Sequence, residues 1–106
     1  MNPTGRAPYG FRRRYSEETG RLAAVEFSED WPVVVEVFEA VADGTTPLEV
    51  AGELNAREQP SPGGGVWREW QVRRMIGNDA YTGHHGWPRL VEHDVAARAR
   101  RALGYG

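Results

Sequence analysis

Arg68, Trp70, Gln71, Arg73 and Arg74 fall within one short stretch, GVWREWQVRRMIGND (Gly65 to Asp79). A guanidinium is a planar fork of donors, matched to phosphate oxygens and to the N7 and O6 edge of guanine. Glutamine adds a donor and an acceptor side by side, and tryptophan a broad apolar face. These groups are concentrated here although the formal net charge of the 106-residue chain is -2. All 13 basic residues are arginine. Without lysine there is no P-loop or Schiff-base chemistry, so Gly63-Gly64-Gly65 is not a phosphate cradle of the GxxxxGK[ST] type. Without cysteine, disulfides, thiol catalysis and cysteine-ligated zinc are excluded. His84, His85 and His93, with Asp94, lack the i, i+4 histidine pair that a helix would turn toward one ion, so neither a metal nor another cofactor is expected.

The charges are segregated along the chain. Residues 1 to 21 carry five arginines and two glutamates, a balance of +3. Residues 22 to 56 carry eight acids and no arginine, and residues 57 to 106 return to +3. Two basic regions therefore flank an acidic middle. The length suits one domain with a modest core. No apolar run reaches the length of a signal peptide or a membrane span, so no membrane partner is expected and a cytoplasmic location is.

The elements that must position these groups follow from periodicity. Tyr9 to Tyr15 alternates, SEETG (Ser16 to Gly20) is a turn, and RLAAVEF (Arg21 to Phe27) is a second short run. Together they predict a β-hairpin with Arg12 and Arg14 on its open face. A first helix is expected from about Ser28-Glu29-Asp30, with Val33, Val34, Val37, Phe38 and Val41 at helical spacing and Gly44 as its stop. A second begins at Thr46-Pro47-Leu48-Glu49, where Thr46 and Glu49 form a capping box. Leu48, Ala51 and Leu54 are expected on its inner face, with fraying near Asn55.

After the loop QPSPGGG (Gln59 to Gly65) a third helix is expected over Arg68 to Gly77. Val72, Met75 and Ile76 share its inner face, and Trp70, Arg73 and Arg74 point outward with Gln71 beside them. A final helix, Glu92 to Leu103, would pack through Val95, Ala99, Ala102 and Leu103. The fold class is α+β, mostly α: an N-terminal β-hairpin, a three-helix unit like a helix-turn-helix, and a C-terminal helix. Trp67 is expected in the core and Trp31 at the start of the first helix. Residues 1-8 would form a flexible basic arm ahead of a domain spanning 9-103.

Several strings, in this order, resemble the recombinase domain of large serine recombinases, the phage-integrase and transposon-resolvase type. They are GRAPYGFRR (Gly5 to Arg13), GRL (Gly20 to Leu22), PVVVEVFEAVADG (Pro32 to Gly44), LEVAGELNARE (Leu48 to Glu58) and PSPGGGVW (Pro60 to Trp67). QVRRMIGNDAYTG (Gln71 to Gly83) and PRLVEHDVAARARRAL (Pro88 to Leu103) complete the series. Each string alone is weak; the ordered set covers nearly the whole chain. The resemblance implies sequence-specific binding of double-stranded DNA at one arm of a recombination attachment site. It also implies a preceding catalytic domain with a nucleophilic serine and a following zinc-ribbon domain as partners. Neither is found in this sequence, whose Ser16, Ser28 and Ser61 sit at turn, cap and loop positions, so the chain is not expected to cut DNA.

Where the resembled family usually has a small capping residue and a threonine or serine after the tryptophan, this chain has Arg68, Glu69 and Trp70. Asn78-Asp79 replaces the usual asparagine-proline. The expected binding mode places Gln71, Arg73 and Arg74 in the major groove with Arg68 beside them, and Trp70 either joins them, meets a partner protein or packs against the glycine-rich loop. Arg6, Arg12, Arg13 and Arg14 would hold phosphates or the minor groove, and residues 22 to 56 would face away. The alternative is a non-catalytic protein-interaction module derived from such a domain, docking a partner through Trp70.

Overall fold

A computed structural model describes residues 6–105. Two antiparallel strands, β1 (Phe11–Tyr15) and β2 (Leu22–Phe27), precede four helices: α1 (Trp31–Ala42), α2 (Pro47–Ala56), α3 (Glu69–Ile76) and α4 (His93–Ala102). A 3-10 turn at Asp79–Thr82 separates α3 from the last connection. The fold is α+β and mostly α, a hairpin followed by helices. Residues 1–5 of the expected basic arm lie outside the described residues.

Alternation makes the hairpin and a short polar turn closes it. Phe11 pairs with Phe27 and Arg12 with Glu26, and a bulge between Arg14 and Tyr15 brings Tyr15 opposite Leu22. The main-chain N–H of Ser16 donates to Arg21 at 2.8 Å, and that of Gly20 to Ser16 at 2.8 Å. The hairpin is anchored through its base and middle, not its tip. Phe11 is buried, stacked on Tyr81 and Trp87 at centroid distances of 5.5 and 5.2 Å, while Glu17 to Arg21 at the tip are exposed. Gly10 makes this anchorage possible: its φ is +94°, and a Cβ there would lie 2.7 Å from Val34 Cγ2.

Helices α1 and α2 are set by their ends. Pro32 falls in the first turn of α1, and the chain enters through the Trp31 N–H donating to the Ser28 carbonyl at 3.1 Å. At its other end Gly44 adopts φ +102°, the Gly44 N–H returns to Val41 and the Thr45 N–H to Ala40. That pair of bonds is a Schellman motif, which needs a residue free to enter the left-handed region. Val34, Val37, Phe38 and Val41 form the buried stripe between.

Thr46 caps α2 as its sequence indicates. The Glu49 N–H donates to Thr46 Oγ1 at 3.2 Å, and the Thr46 N–H to Glu49 Oε1 at 3.2 Å. The inner face is not the expected one, however. Pro47, Val50, Ala51 and Leu54 are buried, whereas Leu48 is 65% exposed. Pro47 takes the inward place, and one step of about 100° carries Leu48 out to solvent.

Asn55 does not fray. Its side-chain amide donates to the Trp67 carbonyl at 3.0 Å, and its Oδ1 accepts from the Trp67 N–H at 2.7 Å. This two-bond clamp closes the glycine-rich connection and drives Trp67 into the core, where it is 2% exposed. Its indole N–H donates to Gln59 at 3.0 Å, and its ring meets Tyr9 edge to face at 5.3 Å. Helix α4 packs chiefly on α1 through Ala96 and Ala99, small side chains that let the two helices approach closely. Ala102, expected inside, is exposed; Ala96 takes its place on the buried stripe.

Candidate nucleic-acid interface

Helix α3 buries Val72, Met75 and Ile76 and turns Trp70, Arg73 and Arg74 outward. At about 100° per residue Trp70 lies opposite the buried stripe, with Arg74 one turn further on the same side. The two outward arginines face different surroundings. Arg73 Nε donates to Glu69 Oε1 at 3.0 Å, and Arg73 lies beside the α1–α2 connection and Leu103. The neighbouring carboxylate raises the Arg73 pKa above its usual value and offsets part of its charge toward an outside anion.

Arg74 lies on the other flank. With Trp70, Gln71 and Asn78 it borders an open groove of about 530 Å³, which is also lined by the N-terminal segment from Arg6 to Tyr9. Pro62 and Gly63 of the glycine-rich loop line it too. The groove thus brings together residues far apart in the chain: an N-terminal guanidinium, the glycine-rich loop and the exposed side of α3. Trp70 is 58% exposed, and among the described residues its indole has no ring partner and no hydrogen bond.

The start of α3 solves the problem of its unsuitable capping residue. Arginine has no acceptor to offer the free N–H groups of a first turn. Here Gln71 supplies half of a capping box instead, its Oε1 accepting from the Arg68 N–H at 2.7 Å. Gln71 was expected only as an outward reader; its oxygen is committed to the helix, which leaves the amide nitrogen as its outward donor.

The end of α3 is held from α4. Arg100 Nε donates to the Ile76 carbonyl at 2.8 Å and its Nη2 to the Asn78 carbonyl at 3.2 Å, with Asp79 at 3.8 Å. The Tyr105 hydroxyl donates to the Arg73 carbonyl at 3.3 Å. A cation at these carbonyls meets the negative end of the helix dipole and its unpaired acceptors together.

The hairpin arginines divide by face. Arg12 and Arg14 lie on the outer face, and both lean on Glu26 Oε1, at 3.5 and 3.4 Å. Arg13 points inward, its guanidinium 4.9 Å from the centre of the Trp87 ring. Arg68 and Arg6 are exposed. The structure therefore gathers Arg6, Trp70, Gln71 and Arg74 around one groove and leaves Arg12, Arg13 and Arg14 on the hairpin.

Among the acids, Glu36 takes the Arg57 fork in two bonds of 2.6 and 2.7 Å, and Asp43 lies 3.7 Å from Arg98. The outer faces of α1 and α2 carry Glu36, Glu39, Glu49 and Glu53 and no arginine within either helix.

Sequence reasoning missed Tyr9, Asn78, Glu26 and Arg100. Glu26 had a readable signal, since it falls opposite Arg12 once the strands are paired, and Arg100 a partial one as part of a cationic run at a helix C-terminus. Among the described residues no group of three His, Cys, Asp or Glu side chains could hold a metal ion. No helix among them is long and apolar enough to cross a membrane.

Residues 28–103 match the model of the family described as Recombinase. The hairpin precedes that stretch, yet Tyr9 and Phe11 pack into the same core. No curated protein and no solved structure matches the chain.

Proposed function

The chain belongs to the Recombinase family, and from that premise we propose that it binds double-stranded DNA sequence-specifically, as the attachment-site recognition module of a site-specific serine recombinase. The observation that carries this reading is the groove beside α3. It lines up Arg74, Gln71 and Trp70 on a helix braced at both ends, with Arg6 lining the same groove. In the proposed complex α3 lies in the major groove, where Arg74 reads a guanine edge and the Gln71 amide donates to a base acceptor. Arg6 meets a phosphate at the groove's border, and Arg12, Arg13, Arg14 and Arg68 add backbone contacts that set register. Arg73 contributes less than Arg74, because Glu69 already occupies it.

In this reading the chain binds and does not cleave, a catalytic domain and a zinc-ribbon domain of a parent recombinase are its partners, and it works in the cytoplasm. Duplex carrying an attachment-site arm, titrated at two salt concentrations, tests it. Binding should weaken steeply as salt rises. Arg74→Ala should relax sequence preference, whereas Arg6→Ala should weaken binding to all sequences and reduce the salt slope by about 1. Binding that is absent, or indifferent to salt, would refute the proposal. The exposed Trp70 also suits a non-catalytic protein-interaction module. That reading prevails if Trp70→Ala abolishes a protein complex while the chain shows no affinity for duplex.

A further inference from the structure

We propose that Trp70 is a specificity-determining residue whose indole packs on the C5 methyl group of a thymine in the bound duplex. The inference rests on the DNA-binding reading and adds to it a chemical preference at one base position.

Three observations carry it. Trp70 is the second residue of α3 and lies opposite the stripe formed by Val72, Met75 and Ile76. If α3 enters a groove, Trp70 therefore leads, and the first residues of such a helix are the ones that meet base edges. Secondly, more than half of its surface is open to an outside partner. Trp67 and Trp87 are buried, whereas Trp70 is largely exposed and, among the described residues, has neither a ring partner nor a hydrogen bond. Thirdly, its surroundings select the kind of partner. Arg74, Gln71, Asn78 and Arg6 border the same groove and present donors suited to a polyanion.

In the major groove nearly every group exposed by a base is a donor or an acceptor, and the thymine methyl is the apolar one. An indole lodged there against guanine or cytosine would bury polar edges without satisfying them, which costs free energy. Against thymine it buries a methyl group instead. The preference should be modest, since one methyl group removed from water changes affinity on the order of fourfold.

The test starts from a random-sequence duplex library enriched on the whole chain at low salt. The enriched duplex is then remade with deoxyuridine in place of thymine, one position at a time, which removes only the methyl group. Affinity is measured by fluorescence anisotropy for the wild type, Trp70→Ala and Trp70→Phe. At one thymine the wild type should lose about fourfold on deoxyuridine. Trp70→Ala should bind the thymine duplex more weakly and show no further loss on deoxyuridine, and Trp70→Phe should keep part of the discrimination.

Enrichment of a sequence for which Trp70→Ala retains the full methyl dependence at every position would overturn the inference and leave DNA recognition standing. So would enrichment with no fixed thymine. Failure to enrich any sequence would overturn the underlying reading as well, and loss of a protein partner on Trp70→Ala would then assign the indole to a protein interface.

Discussion

At the scale of single residues, Arg100 has the most consequence for its neighbours. In the sequence it belongs to a cationic run near a helix C-terminus, where any of Arg98, Arg100 and Arg101 would suit the dipole. In the fold only Arg100 crosses to α3 and takes the carbonyls of Ile76 and Asn78. Its side chain is 21% exposed, so those acceptors would be poorly rewatered without it. Arg100→Met keeps most of the aliphatic stem and removes the fork. It should cost about 1.5–3 kcal/mol, the range for hydrogen bonds to a charged group. Urea denaturation would measure the loss, with the exposed Arg101→Met as a near-neutral control. Such contacts escape sequence reading because they join residues more than twenty apart with no periodic signal. Trp67 was legible because a large apolar side chain after a flexible loop has to be buried. Gln71 was half legible: its polarity placed it outward, but its bond back to Arg68 depends on the unusual residue at the cap.

At the scale of elements, legibility tracks the strength of local punctuation. Pro32 and Gly44 frame α1, and Thr46, Pro47 and Glu49 start α2, because each imposes a backbone or capping requirement that nearby residues must meet. Leu48 was misplaced because apolarity alone does not decide which side of a first turn faces inward. The bulge at Tyr15 was invisible, since it arises from how one strand fits the other. The capping box gives a testable consequence. Thr46→Ala should lower stability by about 1 kcal/mol. The bonds from Thr46 hold the Glu49 carboxyl below its ordinary value of 4.5. Its charged form is therefore favoured by folding, and its contribution is present above that value and lost as the pH falls through the lower, folded-state value. The stability gap between wild type and Glu49→Gln should accordingly be open at pH 6 and close on acidification below about 4.5. Denaturant midpoints across that range would check it, and a constant gap would count against the box.

At the scale of the whole molecule, Tyr9 and Tyr81 tie the N-terminal segment to the helices. The Tyr81 hydroxyl donates to the Tyr9 carbonyl at 2.6 Å, while the Tyr9 hydroxyl lies 3.4 Å from the Pro60 carbonyl and accepts from Gln59 Nε2 at 3.3 Å. One wall of the candidate groove hangs on these bonds. Burial, assisted by the nearby Asp30 carboxylate, pushes the Tyr9 hydroxyl up to about 12. Burial also raises Tyr81, with the Tyr9 charge as a second cause. Raised values mean that the folded state holds these protons when the unfolded chain has released them. Stability is therefore fully present below the unfolded value of 10.0 and declines as the pH rises from there toward 12. The composition isolates this effect. The chain has no lysine and no cysteine, and arginine stays protonated throughout, so tyrosines are the side chains that titrate between pH 9 and 12. Urea midpoints should hold steady to pH 9 and fall progressively above 10. Tyr81→Phe should be less stable at pH 7, having lost a buried hydrogen bond, yet should fall less steeply in the alkaline range. Parallel alkaline limbs for the two proteins would show that the linkage between these tyrosines and folding is wrong.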